Sequence, residues 1–195
     1  MSSASSNTDL WSRLQGGLEV AAVAAGPEEL FGVRQGFVRY FHHGLRRALP
    51  IAVVPHRGES RRTGLSASDG ETLESIRRRA RDLERELGDA YTFYVATAGG
   101  LHTVTAGGRD ACFVRCWTVV CGPFGEAWGG SGSLQIPDLM LAGAGHPARD
   151  LGGVGTRRRG GLVSSLTARL EDRRSAVALA TFHALSTLFY GRLEA

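Results

Sequence analysis

Lysine is missing altogether: all 23 basic residues of this 195-residue chain are arginine. No step can run through an amine side chain, which rules out a Walker-type phosphate loop and Schiff-base chemistry. Cysteine is scarce, at Cys112, Cys116 and Cys121 only, an odd number that fits reduced thiols and a cytoplasmic protein. On one strand Cys112 and Cys116 stand roughly 13 Å apart, too far to share a metal ion, so these thiols are expected in the core. No apolar stretch is long enough to span a bilayer. The polar, Ser-rich run Met1–Gln15 lacks the basic and apolar regions of a signal peptide. It is read as part of a loose tail over residues 1–16, ahead of a single α/β domain over 17–195. Excess charge is modest too: +4 in all, with acids interspersed, which speaks against nucleic-acid binding. There is no Gly-x-Gly-x-x-Gly fingerprint, no Gly-x-Ser-x-Gly elbow and no internal repeat. Rossmann-type dinucleotide binding and serine hydrolase chemistry therefore lack support.

What the chain does have is Gly155-Thr156-Arg157-Arg158-Arg159-Gly160-Gly161, just ahead of a potentially helical Leu162–Thr167. Glycine lets the backbone turn tightly, and arginine presents a planar fork of donors suited to phosphate oxygens. The segment reads as a phosphate-holding loop, and a solvated basic loop is the competing reading.

Along the chain, Leu18–Ala25 reads as a buried strand and Pro27-Glu28-Glu29 as a first helical turn, with proline and acids where they suit a helix start. That helix is expected to run to about Arg47 and to bury Leu30, Val33, Phe37 and Phe41. Ile51–Val54 is a short strand. Glu71–Leu87 is a charged helix with an apolar stripe of Leu73, Ile76, Ala80, Leu83 and Leu87. Ala90–Ala98, Leu101–Val104, Ala111–Val120 and Gly129–Ile136 form a β-rich block. Pro137–Ala142 is a short helix, and Ser175–Tyr190 a strongly apolar final one. Interleaved strands and helices with one β-rich block predict an α/β fold with a mixed sheet.

The succession of motifs resembles the inosine/xanthosine triphosphatase family, phosphatases of unusual purine nucleoside triphosphates. Ala24-Ala25-Gly26-Pro27-Glu28-Glu29 aligns with the family's Thr-Asn-Pro-x-Lys loop between strand and helix. Glu71-Thr72 through Arg79-Ala80 is similar to its Glu-Thr-x-x-Gly-Ala-x-x-Arg-Ala helix. Ala96-Thr97-Ala98-Gly99-Gly100 matches a Gly-Ile-Glu-Gly-Gly strand end, and Ser131-Gly132-Ser133-Leu134-Gln135-Ile136-Pro137 a Ser-Ala-Ser-x-x-x-Pro strand. Gly155-Thr156 and Gly160–Thr167 fit its last signature, and Arg173 falls where the family often has arginine. The resemblance covers roughly Leu18–Tyr190. It implies a mixed, twisted sheet flanked by helices, two lobes with a central cleft, a homodimer, a purine nucleoside triphosphate substrate and magnesium-dependent hydrolysis.

The departures fall on the chemistry. Ala25 and Gly26 replace Thr and Asn, Glu29 stands where lysine would meet phosphate, and Ala98 replaces an acid that would help hold magnesium. The remaining candidates are Asp69 and Glu71 as catalytic and metal-holding carboxylates, either of which could instead be helix N-terminal charge. Thr156, Arg157, Arg158, Arg159, Gly160, Arg173, Ser131 and Ser133 are candidates for phosphate binding. His102 could reach the cleft, and Trp117 is expected in the core. The alternative to an active phosphatase is a catalytically inactive descendant that binds a nucleotide or a protein partner.

Overall fold

The computed structural model describes residues 14, 16–56, 65–142, 151 and 161–190. Thr156, Arg157, Arg158, Arg159 and Gly160 lie outside the described residues.

One six-stranded mixed sheet organises the chain, in the order β2-β1-β3-β4-β5 with β6 also on β4. Strand β1 (Leu18–Val23) is apolar at all but one position because it is covered on both faces. It pairs in parallel with β2 (Ile51–Pro55) and with the first residues of β3 (Phe93–Ala106). Strand β3 turns through Gly107 and Gly108, at φ 58° and 72°, a two-residue hairpin turn that favours glycine. Strand β4 (Arg109–Gly122) returns antiparallel along the whole of β3. Strand β5 (Gly125–Gly130) and the short β6 (Leu134–Gln135) both pair with β4.

The expected strand Gly129–Ile136 is thus two strands, the first starting earlier. Its break has a visible cause. The Ser131 Oγ accepts the Cys116 N–H at 2.9 Å, while the Ser131 N–H donates to the Cys116 carbonyl. A side chain takes the ladder position, and Ser131 and Ser133 sit in the connection, not on a strand.

Helices cover both faces. Helix α1 (Pro27–Val38) and helix α5 (Arg173–Leu188) pack on one face, burying Val33, Phe37, Val177 and Leu185 against Val20, Phe93, Val95 and Val120. Helix α2 (Asp69–Leu87) packs on the other, with Ile76, Ala80 and Leu83 against Ala21, Tyr94, Ala96 and Val119. Two short helices, α3 (Asp138–Ala142) and α4 (Gly161–Leu166), border a third cluster around Leu101, Val114, Ile136 and Leu162.

Helix α1 ends at Val38, and Arg39–Gly44 continues as a π-helical turn, short of the expected Arg47. The wider turn carries both Tyr40 and Phe41 to Phe189, each with ring centroids 5.6 Å away. Leu14, expected in the loose tail, is instead buried with the α1–α5 core.

Helices α1 and α5 approach closely through glycine. A Cβ on Gly32 would lie 2.7 Å from the Arg174 carbonyl, and one on Gly36 would lie 2.5 Å from Thr181 Cβ. Contacts advance together along both helices, so they run in the same direction and their amino ends meet at one corner. That corner lies where β1 ends.

Candidate functional site

Helix α1 begins without a side-chain cap, for Gly26 is its N-cap residue and Pro27 follows. Glu29 supplies what is missing. Its side chain turns back so that Oε2 accepts the Ala25 N–H, and Oε1 pairs with Arg173 Nη2. Glu29 is only 2% exposed, whereas the Arg173 side chain is 37% exposed. Arg173 is the first residue of α5, whose start is held by reciprocal bonds between Asp172 and Ser175. The pair is held through Nη2, and Arg173 Nε is buried with no hydrogen-bond partner among the described residues. Cys116 adjoins the pair. Burial pushes its thiol up to about 11, with Arg173 pulling it down and Glu29 pushing it further up. It is a neutral thiol at neutral pH.

Arg173, expected to bind phosphate, is therefore joined to Glu29. Ser131 bonds the Cys116 backbone. Ser133 is exposed. Ala98 sits opposite Trp117 in the β3–β4 register and packs with Trp117 on the α2 face. Cys116, one residue away, belongs to the opposite face with α1 and α5.

The second candidate pair, Asp69 and Glu71, opens α2. Ser68 caps this helix by accepting the Glu71 N–H, and Glu71 Oε2 accepts the Ala67 N–H at 3.2 Å. Asp69 Oδ1 accepts from Arg115 Nε at 3.0 Å and from Trp117 Nε1 at 2.6 Å, and Oδ2 pairs with Arg115 Nη2. The Arg115 guanidinium in turn lies 4.4 Å from the Trp117 ring centroid. Burial acts to raise the Asp69 pKa, but the bonds from Arg115 and Trp117 outweigh it and hold the group below its ordinary value. His102 reaches this cluster, its Nδ1 3.9 Å from Asp69 Oδ1.

Magnesium takes oxygen ligands in a near-octahedral shell. Asp69 has both oxygens engaged by protein donors, Glu71 bonds the backbone, and the Ala98 side chain has no oxygen to offer. Among the described residues no group of three or more His, Cys, Asp or Glu is placed to hold a metal ion. As arranged, Asp69 and Glu71 fit a helix start and an arginine anchor better than a metal shell. Arg115 was not among the expected site residues. The signal for it is an arginine inside an apolar strand, two residues from Trp117 and so on the same face.

The arrangement defines an α/β protein with a mixed sheet flanked by helices and a charged corner beside the carboxyl end of its parallel strands. The same fold is found in the crystal structure of protein VC0702 from Vibrio cholerae. The TM-score is 0.62 at 18% identity, over 89% of this chain and 95% of that one. No family profile matches the chain, and no curated protein does. Among the described residues no helix is long and apolar enough to cross a membrane.

Proposed function

We propose that this chain is a non-hydrolysing relative of the inosine/xanthosine triphosphatases, a protein that binds a purine nucleoside triphosphate without turning it over. The observation that carries this reading is the Glu29–Arg173 pair. Where the resemblance implies a lysine facing phosphate, a buried carboxylate faces the arginine. A phosphate oxygen about 4 Å from that carboxylate would be repelled by about 4 kcal/mol at an effective dielectric of about 20. Phosphoryl transfer depends on cations around the phosphates and a positioned nucleophile, and this corner has its cation neutralised from within. Ala98, which has no carboxylate, and the engaged Asp69 support the same conclusion.

Nucleotide binding rests in this reading on Arg157, Arg158 and Arg159, whose guanidinium forks suit phosphate. The two lobes implied by the resemblance would divide between the main sheet and the cluster around Leu101, Val114 and Ile136. A homodimer and a cytoplasmic setting go with the reading, and the three free thiols suit the latter. The test is phosphate release from a panel of purine nucleoside triphosphates, with and without magnesium, alongside calorimetric binding. Binding without release is expected. Magnesium-dependent release by the wild type overturns the proposal.

A further inference from the structure

The two outer edges of the sheet differ. Strand β2 contains Pro55, and Arg34 Nε donates to its Ile51 carbonyl at 3.4 Å. Proline and a charged side chain are common guards of a strand edge. Strand β5 holds no proline, and no strand lies beyond it among the described residues. Two bonds show which way its backbone groups point. The Ser131 N–H donates inward to the Cys116 carbonyl of β4, whereas the Gly130 carbonyl accepts from His183 Nδ1 of α5 at 2.7 Å. Directions alternate along an antiparallel ladder, so the N–H and C=O groups of Glu126 and Trp128 face outward. Trp128 is 48% exposed on this edge, its Nε1 donating to Glu126 Oε1 at 2.7 Å. A half-exposed tryptophan beside unpaired backbone groups is an adhesive surface. The edge is also nearly free of unbalanced charge. The Glu126 side chain is 10% exposed and pairs with Arg77 and Arg81, and Arg81 pairs with Glu84 as well. On the opposite face, Leu179, Ser186 and Thr187 share the α5 stripe of His183, and none is an arginine or a carboxylate.

We propose that the free edge of β5 is the surface through which two copies of this chain join, the two strands running antiparallel about a two-fold axis. With Glu126 of each copy opposite Trp128 of the other, every outward N–H and C=O of these residues meets its complement. Each indole then lies beside the other copy's Glu126, and the sheet continues across the axis. A like-charged edge would repel its own copy, whereas this one is balanced within each copy. The contact is isologous and uses up both free edges. The guarded β2 edges end the joined sheet, so association stops at the dimer. This names a surface for the homodimer that goes with the proposed function, but it rests on the sheet edge alone.

Analytical ultracentrifugation over a range of concentrations compares the wild type with Trp128→Arg and, as a control on α1, with Phe31→Arg, which replaces a side chain 56% exposed. Circular dichroism confirms that each is folded. Arginine keeps a donor for Glu126 while placing a charge on the edge. The expected result is a dimer for the wild type and for Phe31→Arg, with the dimer dissociation constant raised about tenfold or more in Trp128→Arg, as for a tryptophan at the centre of an interface. Hydrogen exchange of the wild type needs no variant. The amides of Glu126 and Trp128 should exchange more slowly at dimer concentrations than on dilution to monomer. A wild type that stays monomeric at every concentration overturns the proposal. So does a dimer in which those amides gain no protection, or one that folded Trp128→Arg forms as tightly as the wild type. Failure to bind nucleotide would defeat the proposed function without touching these outcomes, because no nucleotide is present.

Discussion

Replacing Arg173 by glutamine removes the cation from Glu29 and leaves the carboxylate where it is. Removing one partner of a buried ion pair costs about 3–5 kcal/mol, because the other charge is left uncompensated. Here the carboxylate is 2% exposed but the arginine 37%, so water reaches the pair from one side and the cost belongs at the low end, about 3 kcal/mol. For a chain of this size that is a fall in Tm of about 6–12 °C. Glu29→Gln neutralises the acid while keeping an acceptor for the Ala25 N–H, and should cost only about 1 kcal/mol. The double variant should then cost about 2 kcal/mol, less than the sum of the two single changes, because the uncompensated charge is absent from it. Urea unfolding of the four proteins at pH 7 measures the cycle. Additive effects, or a loss below about 1 kcal/mol for Arg173→Gln, would refute the Glu29–Arg173 pairing.

Other expectations follow from the same structure. Asp69→Asn should destabilise by about 1.5–3 kcal/mol, the range for hydrogen bonds to a charged group. Because the native pKa of Asp69 is lowered by Arg115 and Trp117 against the pull of burial, its contribution is full above the ordinary carboxylate value and lost as pH falls through the native one. Stability curves of wild type and variant should therefore converge only in acid, and a gap independent of pH would contradict the assignment. Gly129→Ala should cost about 3 kcal/mol or prevent folding, since its Cβ would lie 2.0 Å from the Ala180 carbonyl and 2.4 Å from the Ala184 nitrogen. Gly26→Ala, whose Cβ meets nothing within 4 Å, should cost at most about 1 kcal/mol, the preference for glycine over alanine at an N-cap, and urea midpoints separate the two. Cys116 and Cys121, with thiols pushed up by burial to about 11 and about 12, should resist a thiol reagent at pH 8 until the protein unfolds. Fast native labelling of either, read by mass spectrometry, would show that the sheet is open at that point.

The elements with strong periodicity were legible before the structure. The stripe Leu73, Ile76, Ala80, Leu83 and Leu87 does face the sheet, because α2 is long and its outer face is charged. The strands Leu18–Val23 and Arg109–Gly122 sit within one or two residues of their expected starts and ends. What was not legible was decided by single contacts. The break at Ser131 comes from one hydroxyl taking a backbone N–H. The π-helical turn at Arg39–Gly44 answers aromatic packing against Phe189, a residue nearly 150 positions away. In the candidate site, the mismatch at Glu29 was visible as a wrong charge. Its burial was not, because an acid in a first helical turn is ordinarily solvated. Nor was the role of Arg115, which depends on Asp69 approaching β4 from another element.

Under the proposed function, Glu29 and Ala98 are the two positions that silence hydrolysis. Phosphate release from inosine triphosphate with magnesium, by the wild type and by Glu29→Lys with Ala98→Glu, tests it most directly. The expected result is no release above the uncatalysed rate for the wild type and measurable release for the double variant, in which a cation and a carboxylate stand where the resemblance implies them. Rapid release by the wild type, unimproved by the two changes, would contradict it.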